Sequence, residues 1–343
     1  MKNFGLFLLK RYLQFGLFFY FERIHVYGLE NIPKNKPVLF LCNHQNALID
    51  ALLIATRIKG FAYYLTRASV FKKSFVARLL QSFQLIPVYR IRDGYKSLSH
   101  NYSVFNSAAR LLHQNNSVTI FPEGNHSLLR RVRPLSKGFT RIVFKLFEIH
   151  PESDLQLVPI GLNFKNADSY PDRVAIYFGE PLKAKQYIKD DKKESIAALK
   201  KIVYTKMSQL TTHIPENGYD EILAKLHTIH IDFLNPTQVN NCVANNFKDY
   251  EKKPKNKQSW LKIVLNYILI LNLLLPYGIW KFLIKPRVTE QEFVSTFRFV
   301  VEVTLVQIYL LITGVIISYV FSLPLALLYI MLVLAIQLLA IKL

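Results

Sequence analysis

The sequence predicts an α/β domain, a mostly parallel sheet flanked by helices, with an N-terminal interfacial helix and a C-terminal transmembrane helical region. Three observations carry that prediction. Short apolar runs at 38–42, 61–66, 85–89 and 117–121 alternate with helix-length segments, which is the pattern of βαβ units. Hydrophobic residues make up 51% of the 343, more than a soluble enzyme of this size carries. Beyond residue 258 the apolar residues gather into stretches long enough to span a bilayer.

Residues 1–24 are rich in aromatic and aliphatic side chains, interrupted by Lys2, Lys10, Arg11, Glu22 and Arg23. The longest uninterrupted run, Tyr12 to Phe21, is too short to span, and no small-residue cleavage site follows it. An interfacial or re-entrant membrane helix is therefore expected, with an ordinary helix docked on the next domain as the alternative. Val38 to Cys42 then reads as a strand buried on both faces. Asn43 and His44 leave that strand, and an apolar helix carrying Asp50 begins near Ala47. If both residues were helical, His44 and Asp50 would point about 120° apart. They can meet only if His44 sits on the turn and leans over the helix. A carboxylate that fixes one imidazole tautomer is the arrangement of a general base acting on a hydroxyl.

The segment 61–66 is a second strand, and Ser69 to Ser82 is expected as a basic amphipathic helix bearing Phe71, Phe75, Leu79 and Leu80. Leu85 to Tyr89 is a third strand, ending in Arg90, Ile91, Arg92, Asp93 and Gly94, a candidate anion clamp. Tyr102 to Gln114 is a helix, and Ser117 to Phe121 the next strand. Ligands of such sheets gather at the carboxyl ends of the strands. His44, Arg90 and Glu123 fall at three of those ends.

Lys and Arg outnumber Asp and Glu by 44 to 23, for a net charge of +21. The balance favours anionic partners, and the apolar tail selects a lipid surface over nucleic acid, for which no motif is present. Cys42 and Cys242 are far apart, so neither a disulfide framework nor a zinc site is indicated. His213, His227 and His230 offer no third ligand, and no metal is expected.

The blocks NHQNALID (43–50), IPVYR (86–90), FPEGNHS (121–127), RPLSKG (133–138), LVPIGLNF (157–164) and FGEPL (178–182) together resemble the glycerolipid acyltransferase family that includes 1-acyl-glycerol-3-phosphate acyltransferase. The resemblance covers roughly residues 25 to 210. It implies transfer of an acyl group from a thioester on coenzyme A or acyl carrier protein to a lipid or lipid-precursor hydroxyl, with no other cofactor. It makes His44 the catalytic base and Asp50 its orienting carboxylate. Arg90, Glu123, Gly124, Asn125, His126 and Lys137 become candidate acceptor-binding residues. Two departures stand out. Five residues separate His44 from Asp50 where the family typically has four. Asn125 and His126 replace a Thr-Arg pair, and a neutral imidazole cannot give a phosphate the charged two-pronged grip of arginine. Either Arg90, Arg92, Arg130, Arg131, Arg133 or Lys137 compensates, or the acceptor is not a simple glycerol phosphate.

The domain organisation expected is an interfacial helix (1–24), an acyltransferase domain (25–215), a helical extension with a basic linker (216–257) and a transmembrane region (258–343). Within the last, Leu261 to Ile284 spans or is re-entrant, while Val303 to Phe321 and Pro324 to Ile341 form a transmembrane hairpin. Lys281, Lys285, Arg287 and Arg298 favour a cytoplasmic position for their side. The expectation is a membrane-bound enzyme of the bacterial inner membrane, with its active site on the cytoplasmic face and lysophosphatidate or glycerol-3-phosphate as acceptor. A lysophospholipid or amino-acid-containing lipid is the alternative acceptor, and a non-catalytic lipid-binding protein the alternative of another class.

Overall fold

Strands and helices alternate as expected. The computed structural model describes residues 2–71, 73–89, 100–248, 250 and 260–343. In chain order these form α1 (Lys2–Tyr20), β1 (Phe21–Tyr27), β2 (Val38–Cys42), α2 (Ala47–Arg57), β3 (Ala62–Arg67), α3 (Ser74–Ser82) and β4 (Leu85–Val88). Then come α4 (His100–His113), β5 (Ser117–Ile120), α5 (Gly138–Ile149), β6 (Gln156–Phe164), β7 (Asp172–Phe178), β8 (Leu182–Lys183) and α6 (Lys192–Leu210). The strand order is β1-β7-β6-β2-β5-β3-β4, with the two-residue β8 also on β6. Strands β2 to β6 run parallel. β7 is antiparallel to β6 and carries β1 parallel to itself. The chain between β6 and β7 is too short for a crossover, so it can only turn back.

Every residue of β2 and β6 is buried. The pleat explains why a continuous apolar run is needed there. Leu39 and Leu41 of β2 face a core shared with α4, α5 and α6, whereas Val38, Phe40 and Cys42 face one shared with α1, α2 and Phe299.

Some boundaries differ from the expected ones. Residues 21–24 are not helical; they open β1, because Phe21 and its successors find a partner in β7. The helix expected over Ser69 to Ser82 starts at Ser74, behind a short turn at Ala68–Phe71. Arg90 and Arg92, and the linker at 251–257, lie outside the described residues.

The extension folds as α7 (Tyr219–Thr228) and α8 (Pro236–Ala244) around a small apolar cluster of its own. It is fastened to the sheet, with the Tyr177 hydroxyl donating to Leu234 O at 2.9 Å and Asn240 Nδ2 donating to Thr211 O at 3.1 Å.

Four helices follow: α9 (Trp260–Asn272), α10 (Leu274–Arg287), α11 (Gln291–Val320) and α12 (Leu323–Lys342). Among the described residues α11 and α12 are long and apolar enough to cross a membrane, and α9 with α10 is so only as a pair, bent by 96° at the break between them. Pro276 sits in the first turn of α10, where its missing N–H is not needed, so the chain restarts a helix there rather than continuing α9. Two long apolar helices occupy the stretch expected to form the hairpin, but α11 begins a dozen residues before Val303. Glu292, Arg298 and Glu302 hide its first turns from an apolarity count. Those turns are seated on the sheet domain. Ser295 Oγ donates to Ala167 O at 2.7 Å, Gln291 Nε2 to Asp168 Oδ2 at 2.7 Å, and the Tyr20 hydroxyl to Ser295 O at 3.2 Å. A Cβ on Gly16 would lie 2.5 Å from Val303 Cγ1, so glycine there lets α1 lie close against α11.

Candidate active site

β2 delivers the site. Its exit is pinned by Asn43, which donates to Leu162 O at 3.0 Å and accepts from Leu162 N–H at 2.7 Å. His44 comes next, on the turn, as required for it to reach Asp50. Its Nδ1 is 2.8 Å from Asp50 Oδ2. The same oxygen accepts the backbone N–H groups of Gln45 and Asn46, each at 2.8 Å. Asp50 is fully buried, and three donors on one oxygen fix it. The extra residue between His and Asp is absorbed by Ala47, whose φ of 40° lies in the left-handed region. The longer spacing therefore leaves the contact intact.

The loop after β5 closes over this pair. Phe121 stacks on the His44 ring, with centroids 4.0 Å apart and planes 16° apart, and Ser127 N–H donates to His44 O at 3.0 Å. Glu123 is held by Arg133, whose Nε and Nη2 lie 2.7 and 2.6 Å from a single oxygen, Oε2. Oε1 is buried without a hydrogen-bond partner among the described residues. Burial pushes the Glu123 carboxyl up to about 7, with Arg133 opposing the shift. Arg133 also donates to Asn125 O. Gly124 has φ +74°, and a Cβ there would meet nothing, so the backbone conformation rather than space calls for glycine.

His126 is buried (7% exposed), and neither ring nitrogen has a hydrogen-bond partner among the described residues. It packs edge-on against His44, with centroids 5.6 Å apart, and against Phe293 of the C-terminal region at 4.7 Å. Burial first, then the neighbouring His44, holds its imidazole below the usual value, so it is neutral at pH 7. Glu290 Oε2 is 3.6 Å from its Nε2. One ligand-capable atom from each of His126, Glu290 and Glu292 lies within 4.8 Å of the others. Nothing local in the sequence signals this cluster, because its acids come from the start of α11.

The remaining candidates separate. Lys137 is exposed just before α5, next to Ser136, whose N–H donates to Pro122 O at 2.7 Å. Three of the possible compensating arginines have other work. Arg130 donates to Phe164 O and Lys165 O and covers the Phe233 ring, Arg131 pairs with Glu216, and Arg133 holds Glu123. Arg67, at the end of β3, was not anticipated; it lies near enough to His126 to help depress its basicity. His213 accepts from Val132 N–H at 3.0 Å and has a structural task.

A histidine–carboxylate pair at the exit of β2 is thus faced by a Pro-Glu-Gly loop at the end of the neighbouring parallel strand β5. Residues 23–163 match the family model described as Acyltransferase. An uncharacterized acyltransferase of Schizosaccharomyces pombe is 25% identical over 33% of this chain and 18% of its own length. Glycerol-3-phosphate O-acyltransferase 2 of Saccharomyces cerevisiae is 25% identical over 38% of this chain and 18% of its own. The chain thus spans under a fifth of these relatives. The solved structure of a 1-acyl-sn-glycerophosphate acyltransferase from Thermotoga maritima is 17% identical, with a TM-score of 0.42 over 61% of this chain and 81% of that one.

Proposed function

We propose that this chain transfers a fatty acyl group from a thioester, on coenzyme A or acyl carrier protein, to a hydroxyl of glycerol-3-phosphate or lysophosphatidate at a membrane surface. The observation that carries the reading is the fixed His44–Asp50 contact. With Nδ1–H held by Asp50, the lone pair of Nε2 is free to take the acceptor's hydroxyl proton. The resulting oxygen nucleophile attacks the thioester carbonyl, and the tetrahedral intermediate expels thiolate, which recovers the proton from the imidazolium. A thioester is already activated, so base and orientation are what the protein must supply. Glu123, clamped through Oε2, leaves Oε1 without a partner among the described residues, so that it can accept the second hydroxyl of glycerol-3-phosphate.

The membrane reading is supported by the outer face of α1, where Phe4, Phe7, Leu8, Phe15 and Phe18 are exposed beside Arg11, and by the apolar surfaces of α11 and α12. Lys281, Lys285 and Arg287 support a cytoplasmic position for their side and, with it, the reading of a bacterial inner-membrane enzyme.

The test is thioester consumption by the detergent-solubilised chain and its His44→Ala variant. Acyl-coenzyme A and acyl carrier protein serve as donors; glycerol-3-phosphate, lysophosphatidate and neutral lysolipids serve as separate acceptors. Turnover with a phosphate-bearing acceptor that disappears in the variant supports the proposal. Turnover confined to other acceptors overturns the substrate, and no His44-dependent turnover overturns the reaction.

A further inference from the structure

We infer that His126, Glu290 and Glu292 hold one divalent metal ion of the zinc or manganese class, at the position where the family motif carries an arginine. The motif's arginine would offer a phosphate fixed positive charge, and this chain offers an imidazole there. Left alone, that imidazole faces two carboxylates, which would repel a phosphate. In a chain of net charge +21, neither Glu290 nor Glu292 pairs with a Lys or Arg among the described residues.

The geometry fits a shared ion better than a hydrogen bond. The 3.6 Å between His126 Nε2 and Glu290 Oε2 is too long for a good N–H···O bond. It is close to the separation of two ligands each about 2.0–2.1 Å from one ion at an angle of about 120°. Among the described residues the buried imidazole has no hydrogen-bond partner on either nitrogen, and an unsatisfied buried polar group is costly. One imidazole and two carboxylates suit a borderline divalent ion. Glu290 is largely exposed, so the ion would keep open positions for water or for a phosphate oxygen.

A filled site does two further things. It offsets the two carboxylate charges and presents a Lewis acid next to His44, whose ring is 5.6 Å from that of His126. It also ties the Pro-Glu-Gly loop to the first turn of α11, so that the membrane region completes the acceptor pocket. The role in phosphate binding rests on the proposed function; binding of the ion does not.

The experiment uses the full chain in detergent, free of any histidine tag and stripped with chelator, titrated separately with Zn²⁺ and Mn²⁺ by calorimetry and by elemental analysis after dialysis. One equivalent should bind to the wild type, and at least tenfold more weakly to Glu290→Gln/Glu292→Gln, whose changes are on partly exposed side chains. No saturable binding, or equal binding by the variant, overturns the site. Kinetics then test the role. Removing the ion should raise KM for glycerol-3-phosphate or lysophosphatidate at least tenfold and restoring it should reverse the change. An unchanged KM with the ion bound at one equivalent overturns the phosphate role. His44→Ala should still bind one equivalent while turning nothing over, which separates failure of the metal site from failure of the acyl-transfer reading.

Discussion

Replacing Asp50 by Asn tests the centre of the proposed mechanism with the least change of shape. The amide keeps an oxygen for the N–H groups of Gln45 and Asn46, so the turn has no reason to open. What disappears is the negative charge beside His44 Nδ1, 2.8 Å away in the folded chain. That charge matters most as the ring becomes imidazolium. Two unit charges about 4 Å apart at an effective dielectric near 20 interact by about 4 kcal/mol. A neutral hydrogen bond recovers about 1 kcal/mol of this. The net loss of about 3 kcal/mol corresponds to roughly a hundredfold in kcat. Initial rates of thioester consumption over a range of acceptor concentrations would measure it, with thermal unfolding in the same detergent to establish that the variant is folded. KM should change little, because the loss falls on the transition state. In a His44→Ala background the same substitution should cost nothing further. A folded Asp50→Asn protein with kcat within about threefold of wild type would refute the role given to this pair.

Two other outcomes follow from the Pro-Glu-Gly loop. Burial raises the Glu123 carboxyl from an ordinary 4.5 to about 7, so the native state holds its proton more tightly than the unfolded chain does. Its stabilising contribution is present below about pH 4.5 and is lost as pH rises through about 7, a swing of up to about 3 kcal/mol. Unfolding temperature measured between pH 5 and 8 should fall more steeply for the wild type than for Glu123→Gln, and equal slopes would contradict the assignment. Gly124→Ala places a Cβ in open space but at φ +74°, so only backbone strain of about 1–2 kcal/mol should appear. Gly124→Asn, which tolerates the left-handed region, should recover part of that loss in the same unfolding measurement.

The contrast between local and distant information runs through the whole chain. The apolar run at 38–42, the helix after Ala47, the FPEG turn and the two long apolar helices near the end were readable in the sequence, because each depends on residues within about a dozen positions of one another. The strand assignment then placed His44, Arg90 and Glu123 at strand ends, with Asp50 in the helix after His44, since parallel connections bring carboxyl ends together. The sequence was uninformative where pairing is non-local. It did not show that Phe21 begins an edge strand on β7. Nor did it show that Ala47 would take up the extra residue and restore the His44–Asp50 contact, or that Arg133 among several basic residues would clamp Glu123. Least visible was the meeting of His126 with Glu290, Glu292 and Phe293. Composition alone determined that the C-terminal region is apolar and helical. Only the tertiary structure decided that its first turn, charged and therefore discounted as membrane material, would be laid against the Pro-Glu-Gly loop, because that contact is set by how Gln291 and Ser295 of α11 meet Ala167, Asp168 and Tyr20, partners more than a hundred residues away in the sequence.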